Sequence, residues 1–522
     1  MSSKLNQILN YFKPYKIKEV EKEFIELNKR NWEEEYSGDG YCVVEGHVTC
    51  PASIIDKARI AKAIQEKTGA KPIVFLRGFY TKGNDVYEIY SSFNINNFYM
   101  WWKGFLNPIV FIPAFFYTLK TILYTKDGEN LVQLKHRGVL IGDLIYDTLI
   151  RFKPNTYTIS KIKSSHYRLI FRAFLTFYNN KAMLDKYKPK YMVTSHNVYA
   201  EFGMLPRQLK EMNNGIVFLK DIYAYKCYNN KISINEHFLK PSMELFEKKL
   251  ASEEYVNLAK LYFQSRMDGT VDQIDVKNAF LNKKKYSIDG LKEIYKNIDL
   301  QKKNIVVMSH AFSDAPHVGE GLLFKDYYDF LEKTLIRLNE NVNINSFVKA
   351  HPSSYMWNEK GAVEELIEKN KLENIYILPT DFNTNSILDI ADYIVTAKGT
   401  AGLEFSCSGI PAVTAGKGYY YGFGVTKEPD TVDEYYKILD NITTIERLDE
   451  QTTRRALVLL YMVAQSRRHS RILPKSHIMP GENYNEVYIG KYKEVIENLK
   501  NCIPFKDEFY EEVRSDVEKS NV

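Results

Sequence analysis

The stretch DYIVTAKGTAGLEFSCSGIPAVTA, Asp392 to Ala415, decides the fold. A β-branched run ends at Thr396, the chain turns through Lys398–Gly399–Thr400, a short helical pattern LEFSCSG follows, and a second β-branched run closes the stretch. Strand, helix and strand in so few residues form the unit of a parallel sheet, whose neighbouring strands need a crossover. Gly399 and Gly402 bracket the helix start, where free amides carry partial positive charge. Thr400 is placed to cap the helix, Ala401 sits in the same turn, and Lys398 adds a full charge, a combination that suits a phosphate. Glu404, in the first turns, is placed for ribose hydroxyls. The same residues serve a plain core helix equally well, with Glu404 complementing the helix dipole.

The alternation continues on both sides. Upstream come strands Asn304 to His310, Ile344 to Ala350 and Ile375 to Leu378, each followed by a helical pattern, so the region is expected to be a doubly wound sheet. Nearer the amino terminus, YCVVEGHV (41–48), a helix to Gly69, KPIVFL (71–76), YMVT (191–194) and IVFL (216–219) repeat the pattern. A chain of 522 residues exceeds what one hydrophobic core usually supports. The expected organisation is α/β with two Rossmann-like domains facing across a cleft: residues 1–240, a helical linker at 241–300, a second domain at 301–450, and helices at 451–522 that pack back across both.

Hydrophobic residues at 45% and charged residues at 26% describe a folded protein, and a net charge of +6 over this length gives no reason to expect nucleic acid. Five scattered cysteines without metal-ligand spacing favour a reduced, cytoplasmic protein with no metal and no resident cofactor. The amino terminus is charged and lacks the pattern of a secretory signal. The segment Phe98 to Thr125 is dense in aromatic and aliphatic residues, yet its run is shorter than the roughly 20 residues a bilayer span needs, and Pro108 and Pro113 interrupt it. Two expectations remain for it: a buried helical hairpin, or an exposed element in peripheral contact with the inner membrane. The basic run SRRHSRILPK (466–475) is either a solvated face or a surface for an anionic acceptor.

Ligands of open parallel sheets bind at the carboxyl ends of the strands. SHAFSDAPH (309–317) and KAHPSS (349–354) both lie there. Pro352 holds His351 extended and ends the strand. His351 can then donate to a phosphate, with Lys349 for charge and Ser353 and Ser354 for hydroxyls. Asp314 and His317, and from the facing domain Glu45 and His196, are the candidates for catalysis as base or nucleophile. His47, Asp143, Arg151 and Arg207 are candidates for holding an acceptor. Asp147 reads as a solvated helix residue, free to pair with Arg151. Asp314 reads equally well as a turn residue that caps the next helix.

HPSS, IADYIVTAKGTAGLEFSCSGIPAVTAG and YYYGFGVTKEPDTVDEYYKIL together resemble the carboxyl-terminal domain of bacterial capsule polysaccharide biosynthesis proteins, a group that includes β-Kdo transferases of the GT-B type. The histidine–proline pair is also similar to that of CMP-sialic acid-dependent transferases and teichoic acid polymerases. The likeness is best over Asn304 to Leu439 and thinner over 137–152 and 195–207. It implies that His351, Ser353, Thr400 and Glu404 hold a nucleotide and its ribose, and that a sugar passes to a cell-surface glycan or glycolipid. A CMP-activated acidic sugar is the first expectation for the donor and a UDP-sugar the second. Polyol-phosphate transfer and a non-catalytic role in capsule assembly or export are the alternatives.

Overall fold

The computed structural model describes residues 17–32, 36, 38–77, 83–221, 224–271, 274–280, 282–466, 470–473 and 483–520. Half of the basic run at 466–475, Arg467, Arg468 and Lys475 included, lies outside them.

The first sheet contains β1 (Tyr41–Glu45), β2 (Lys71–Leu76), β3 (Asn97–Met100), β4 (Tyr191–Thr194), β5 (Ile216–Lys220) and β6 (Tyr225–Tyr228), in the order β3-β2-β1-β4-β5-β6. Only β6 runs antiparallel. In the second sheet β7 (Lys303–Met308), β8 (Ile344–Lys349), β9 (Ile375–Ile377), β10 (Tyr393–Thr396) and β11 (Ala412–Thr414) are all parallel, in the order β9-β8-β7-β10-β11. Both sheets are therefore doubly wound, each the centre of one α/β domain. β3 and β6 gave no sequence signal, because four-residue edge strands such as NFYM and YKCY carry too little β-branched character.

The helix Pro51–Thr68 shows how the first domain is built. Pro51 starts it where a missing amide costs nothing, and Gly69 ends it at φ 71, its amide bonding Gln65 O. Apolar Ile54, Ala58 and Ile64 pack toward the sheet. Buried charges on the same helix are matched from the end of the chain. Arg59 donates to Phe505 O at 2.8 Å, Asp507 at 2.6 Å and Asp56 at 3.1 Å. The helices Tyr484–Lys500 and Glu508–Ser520 thus pack on the first domain, whereas Glu450–Gln465 packs with Leu403, Tyr420 and the linker residues Phe246 and Val256.

The segment after β3 is no hairpin, and it is buried along one face only. Trp101–Leu106 forms a tight turn of helix, and Pro108–Tyr124 is a single helix that keeps Pro113 inside it. Pro113 falls in the second turn and removes one backbone bond there without ending the helix. Among the described residues no helix is long and apolar enough to cross a membrane.

Candidate active site

Each sheet reverses its strand order at one point, between β1 and β4 in the first and between β7 and β10 in the second. Loops part there and leave a crevice beyond the carboxyl ends of the strands. The two crevices share one cavity of about 350 Å³, inside the range of small-molecule sites. Ser195, His196 and Asp221 line it from the first domain and His237 from the segment after β6; His310, Asp314, Tyr327, His351, Lys398 and Thr400 line it from the second.

On the first wall β1 pairs with β4 so that Val44 lies beside Val193, which brings Glu45 to Ser195. The Ser195 hydroxyl donates to Glu45 Oε2 at 2.6 Å, and His196 Nδ1 lies 3.0 Å from Ser195 Oγ. With its proton given to the carboxylate, the serine oxygen can only accept from the ring. The imidazole is thereby held with its proton on Nδ1 and a lone pair on Nε2. Burial lowers the His196 pKa against the pull of Glu45 and Asp221, so the ring is neutral at pH 7. Burial also opposes the charge on Glu45, but Lys57 at 2.9 Å, His47 and the Ser195 hydrogen bond hold its pKa down at about 2. Glu45, 3% exposed, therefore stays ionised behind the serine and acts through it instead of reaching the cavity itself.

On the second wall His351 Nδ1 accepts the Ser353 amide at 3.2 Å, which leaves the ring proton of the neutral histidine on Nε2 as a donor. Burial lowers Lys398 to about 8, and its ammonium donates to Val318 O at 2.7 Å, keeping further protons for a ligand. Burial, then His351 and Lys398, push His310 down to about 3; its ring stacks on Tyr327 at 4.0 Å and accepts the Lys398 amide at 3.3 Å. A Cβ on Gly399 would stand 3.2 Å from His310, so the tight approach of turn and ring explains the glycine. Gly399 itself is the N-cap, and Thr400 is the first residue of the helix Thr400–Ser406 rather than its cap.

Several sequence candidates have other employment. His317 lies outside this cavity: Nδ1 bonds Asp147 at 2.6 Å and Nε2 bonds Lys325 O at 2.9 Å. Since a carboxylate and a carbonyl only accept, both ring nitrogens donate, and His317 cannot serve as a base. Asp147 is buried in that contact and is not a solvated helix residue, while Arg151 lies 3.9 Å over the Trp357 ring. Asp143 and Arg207 pair with each other at 2.6 Å, which removes both as open acceptor contacts. Ser353 is buried and its hydroxyl faces Asn278 at 3.3 Å. Ser354 gives its amide to His351 O at 3.0 Å. Lys349 is buried at the end of β8, lowered to about 8 by burial and Lys283. Ala401 packs against the apolar cluster around Phe405, and Gly402 is buried. Glu404 is buried too, and its Oε1 pairs with Arg266 of the linker helix Glu253–Met267. His47 lies between the rings of Phe75 and Phe202, tilted to both; burial lowers it to about 4, and neither ring nitrogen has a partner among the described residues.

Ser195, Lys57, His237, His310 and Tyr327 were not singled out by sequence. His310 closes the run NIVVMSH at a strand end, and Lys57 is a cation inside an apolar helical pattern, so both left a signal.

Residues 262–438 match the family described as capsule polysaccharide biosynthesis protein. The matched region is about a third of the chain. It holds Asp314, His351, Lys398 and Thr400, the whole second wall of the cavity. A stretch of 91 residues is 29% identical to the capsule polysaccharide modification protein LipA of Neisseria meningitidis serogroup A, covering 17% of this chain and only 12% of that protein. Among solved structures, the β-Kdo 2,4 transferase KpsC of Thermosulfurimonas dismutans is similar at 12% identity over 52% of this chain and 79% of that one, with a TM-score of 0.33. A glycosyltransferase of Rickettsia africae is similar at 12% identity over 91% and 99% of the two chains, with a TM-score of 0.29. Anabaena Alr3699/HepE in complex with UDP is similar at 10% identity over 89% and 100%, with a TM-score of 0.27. Likenesses this distant carry no argument about function.

Proposed function

We propose that the chain is a GT-B glycosyltransferase that moves a sugar from a nucleotide donor to a capsule glycan or its lipid-linked precursor. The observation that carries this reading is the pairing of two walls in one cavity: a neutral histidine with its tautomer held by Glu45 and Ser195, facing a lysine, a histidine donor and a helix start. His196 Nε2 takes the proton of the acceptor hydroxyl as that oxygen attacks the anomeric carbon from the side opposite the phosphate. The bond from carbon to phosphate oxygen breaks, and its electron pair leaves on the nucleotide. The charge that develops there meets Lys398, His351 Nε2–H and Thr400. Asp314, on the same wall, faces the positive charge that grows at the anomeric carbon. Displacement at one face with a single base inverts the anomeric centre, and protein cations in place of a metal ion neutralise the leaving group. A CMP-activated acidic sugar is the preferred donor and a UDP-sugar the next.

The test is transfer itself, followed by mass spectrometry with capsule oligosaccharide as acceptor. Wild type adds one sugar from a nucleotide-sugar, and His196→Ala slows turnover by about 10² to 10⁴. Release of CMP from CDP-glycerol instead would assign the polyol-phosphate reaction, and undiminished transfer by His196→Ala would remove the proposed base.

A further inference from the structure

The helix Pro108–Tyr124 is built inside out for a water-facing surface. Its inner stripe consists of small residues, Val110, Ala114, Thr118 and Thr121, all buried at helical spacing. The Thr118 and Thr121 hydroxyls are satisfied on Ala114 O at 2.6 Å and Tyr117 O at 2.8 Å, so they ask nothing of the neighbouring helix Tyr167–Tyr187. The outer stripe carries the large side chains: Ile109 is 79% exposed, Ile112 63%, Phe116 60% and Leu123 74%. An ordinary surface helix has the reverse pattern, with large apolar residues in and charges out.

Within the helix and the turn before it, charge has one sign. Between Trp101 and Tyr124 there is no carboxylate, and the charged residues are Lys103 and Lys120, both exposed. Arg168, also exposed, follows Tyr167, whose ring meets Phe115 at 6.5 Å. We propose that this helix docks the protein on a lipid bilayer with anionic headgroups, lying in the interface with its outer stripe among the acyl chains and its lysines at the phosphates. Protruding isoleucine and phenylalanine side chains ringed by lysine and arginine fit that phase, since it supplies both an apolar solvent and negative charge.

The helix is also placed to serve the cavity. It follows β3 after the turn Trp101–Leu106, and β3 runs parallel to β1, so it starts on the side of the sheet that also carries Glu45 and Ser195. A docked molecule holds that edge close to the membrane, where a lipid-carried acceptor would arrive. This last step rests on the proposed transferase reading, while the docking does not.

Flotation of the full chain with phosphatidylcholine vesicles, alone and mixed with phosphatidylglycerol, tests it. Wild type is expected to float with the mixed vesicles and to be released by salt. Ile112→Glu with Phe116→Glu should reduce the floated fraction about tenfold or more, and Lys103→Glu with Lys120→Glu should weaken it on mixed vesicles only. All four substituted side chains are exposed, and an unchanged melting temperature confirms folding. Wild type that stays unbound on both vesicles, or an Ile112→Glu/Phe116→Glu variant that floats like wild type, overturns the proposal. So does a wild-type dimer in solution that this variant abolishes, since a second copy would then be the occupant. Nucleotide binding measured on the same preparations separates this outcome from failure of the transferase reading.

Discussion

His196 can accept a proton only while Ser195 holds its other nitrogen protonated, and this gives the serine a measurable signature. Ser195→Ala is expected to lower kcat about 10- to 100-fold, with nucleotide affinity unchanged, because the ring loses its orientation and not its basicity. The pH profile follows from burial, which depresses the His196 pKa below the ordinary 6.5. The base is thus already deprotonated at neutral pH, and kcat/KM should stay level there and fall only in acid, with a limb below 6.5; a limb above that value would show the wrong base. Glu45, held at about 2 against an ordinary 4.5, contributes stability that is complete above 4.5 and lost as pH falls toward 2. Glu45 and His196 were legible as acid and imidazole at strand ends. Their connection was not, because it depends on the neighbouring register of β1 and β4, 150 residues apart in the chain.

The turn into the helix Thr400–Ser406 depends on how closely Tyr420 approaches it. Its hydroxyl donates to Gly399 O at 2.8 Å, and a Cβ on Gly402 would stand 2.7 Å from that oxygen. Gly402→Ala should therefore destabilise the protein by about 1–3 kcal/mol in a denaturant titration. Gly490→Ala, on the exposed face of the helix Tyr484–Lys500 with nothing within 4 Å, should instead stabilise it by roughly 0.5–1 kcal/mol. The second sheet was readable strand by strand, since β-branched runs alternate there with helical periodicity. Of the two readings of 98–124, the hairpin fails for a physical reason: a proline early in a helix removes one bond, and the packing of Val110, Ala114 and Thr118 against the next helix holds the rest in line. Glu404 looked open because its partner Arg266 comes from a linker helix whose placement no local pattern reveals.

At the scale of the molecule the two domains are clasped beside the cavity. His317 meets Asp147, Tyr146 donates to Asp326, and Tyr199 donates to Ser313 O at 3.2 Å. Burial disfavours the His317 charge, but Asp147 outweighs it and raises the pKa above the ordinary value. The stabilisation is therefore complete below pH 6.5 and lost as pH rises through the raised value. Wild type should lose melting temperature as pH rises above 6.5 more steeply than His317→Gln; equal slopes would mean that the clasp carries no charge. Two doubly wound sheets were legible in the order of the elements, whereas the clasp was not, because it joins a loop to a helix 170 residues away. The transferase reading rests on the facing crevices forming one donor site. The direct measurement is calorimetric titration of the full chain with CMP and UDP. One of them should bind at one site per chain, about 10- to 100-fold more weakly to Lys398→Ala and with unchanged affinity to His196→Ala. No binding of either nucleotide, or binding that Lys398→Ala leaves untouched, would contradict the donor site.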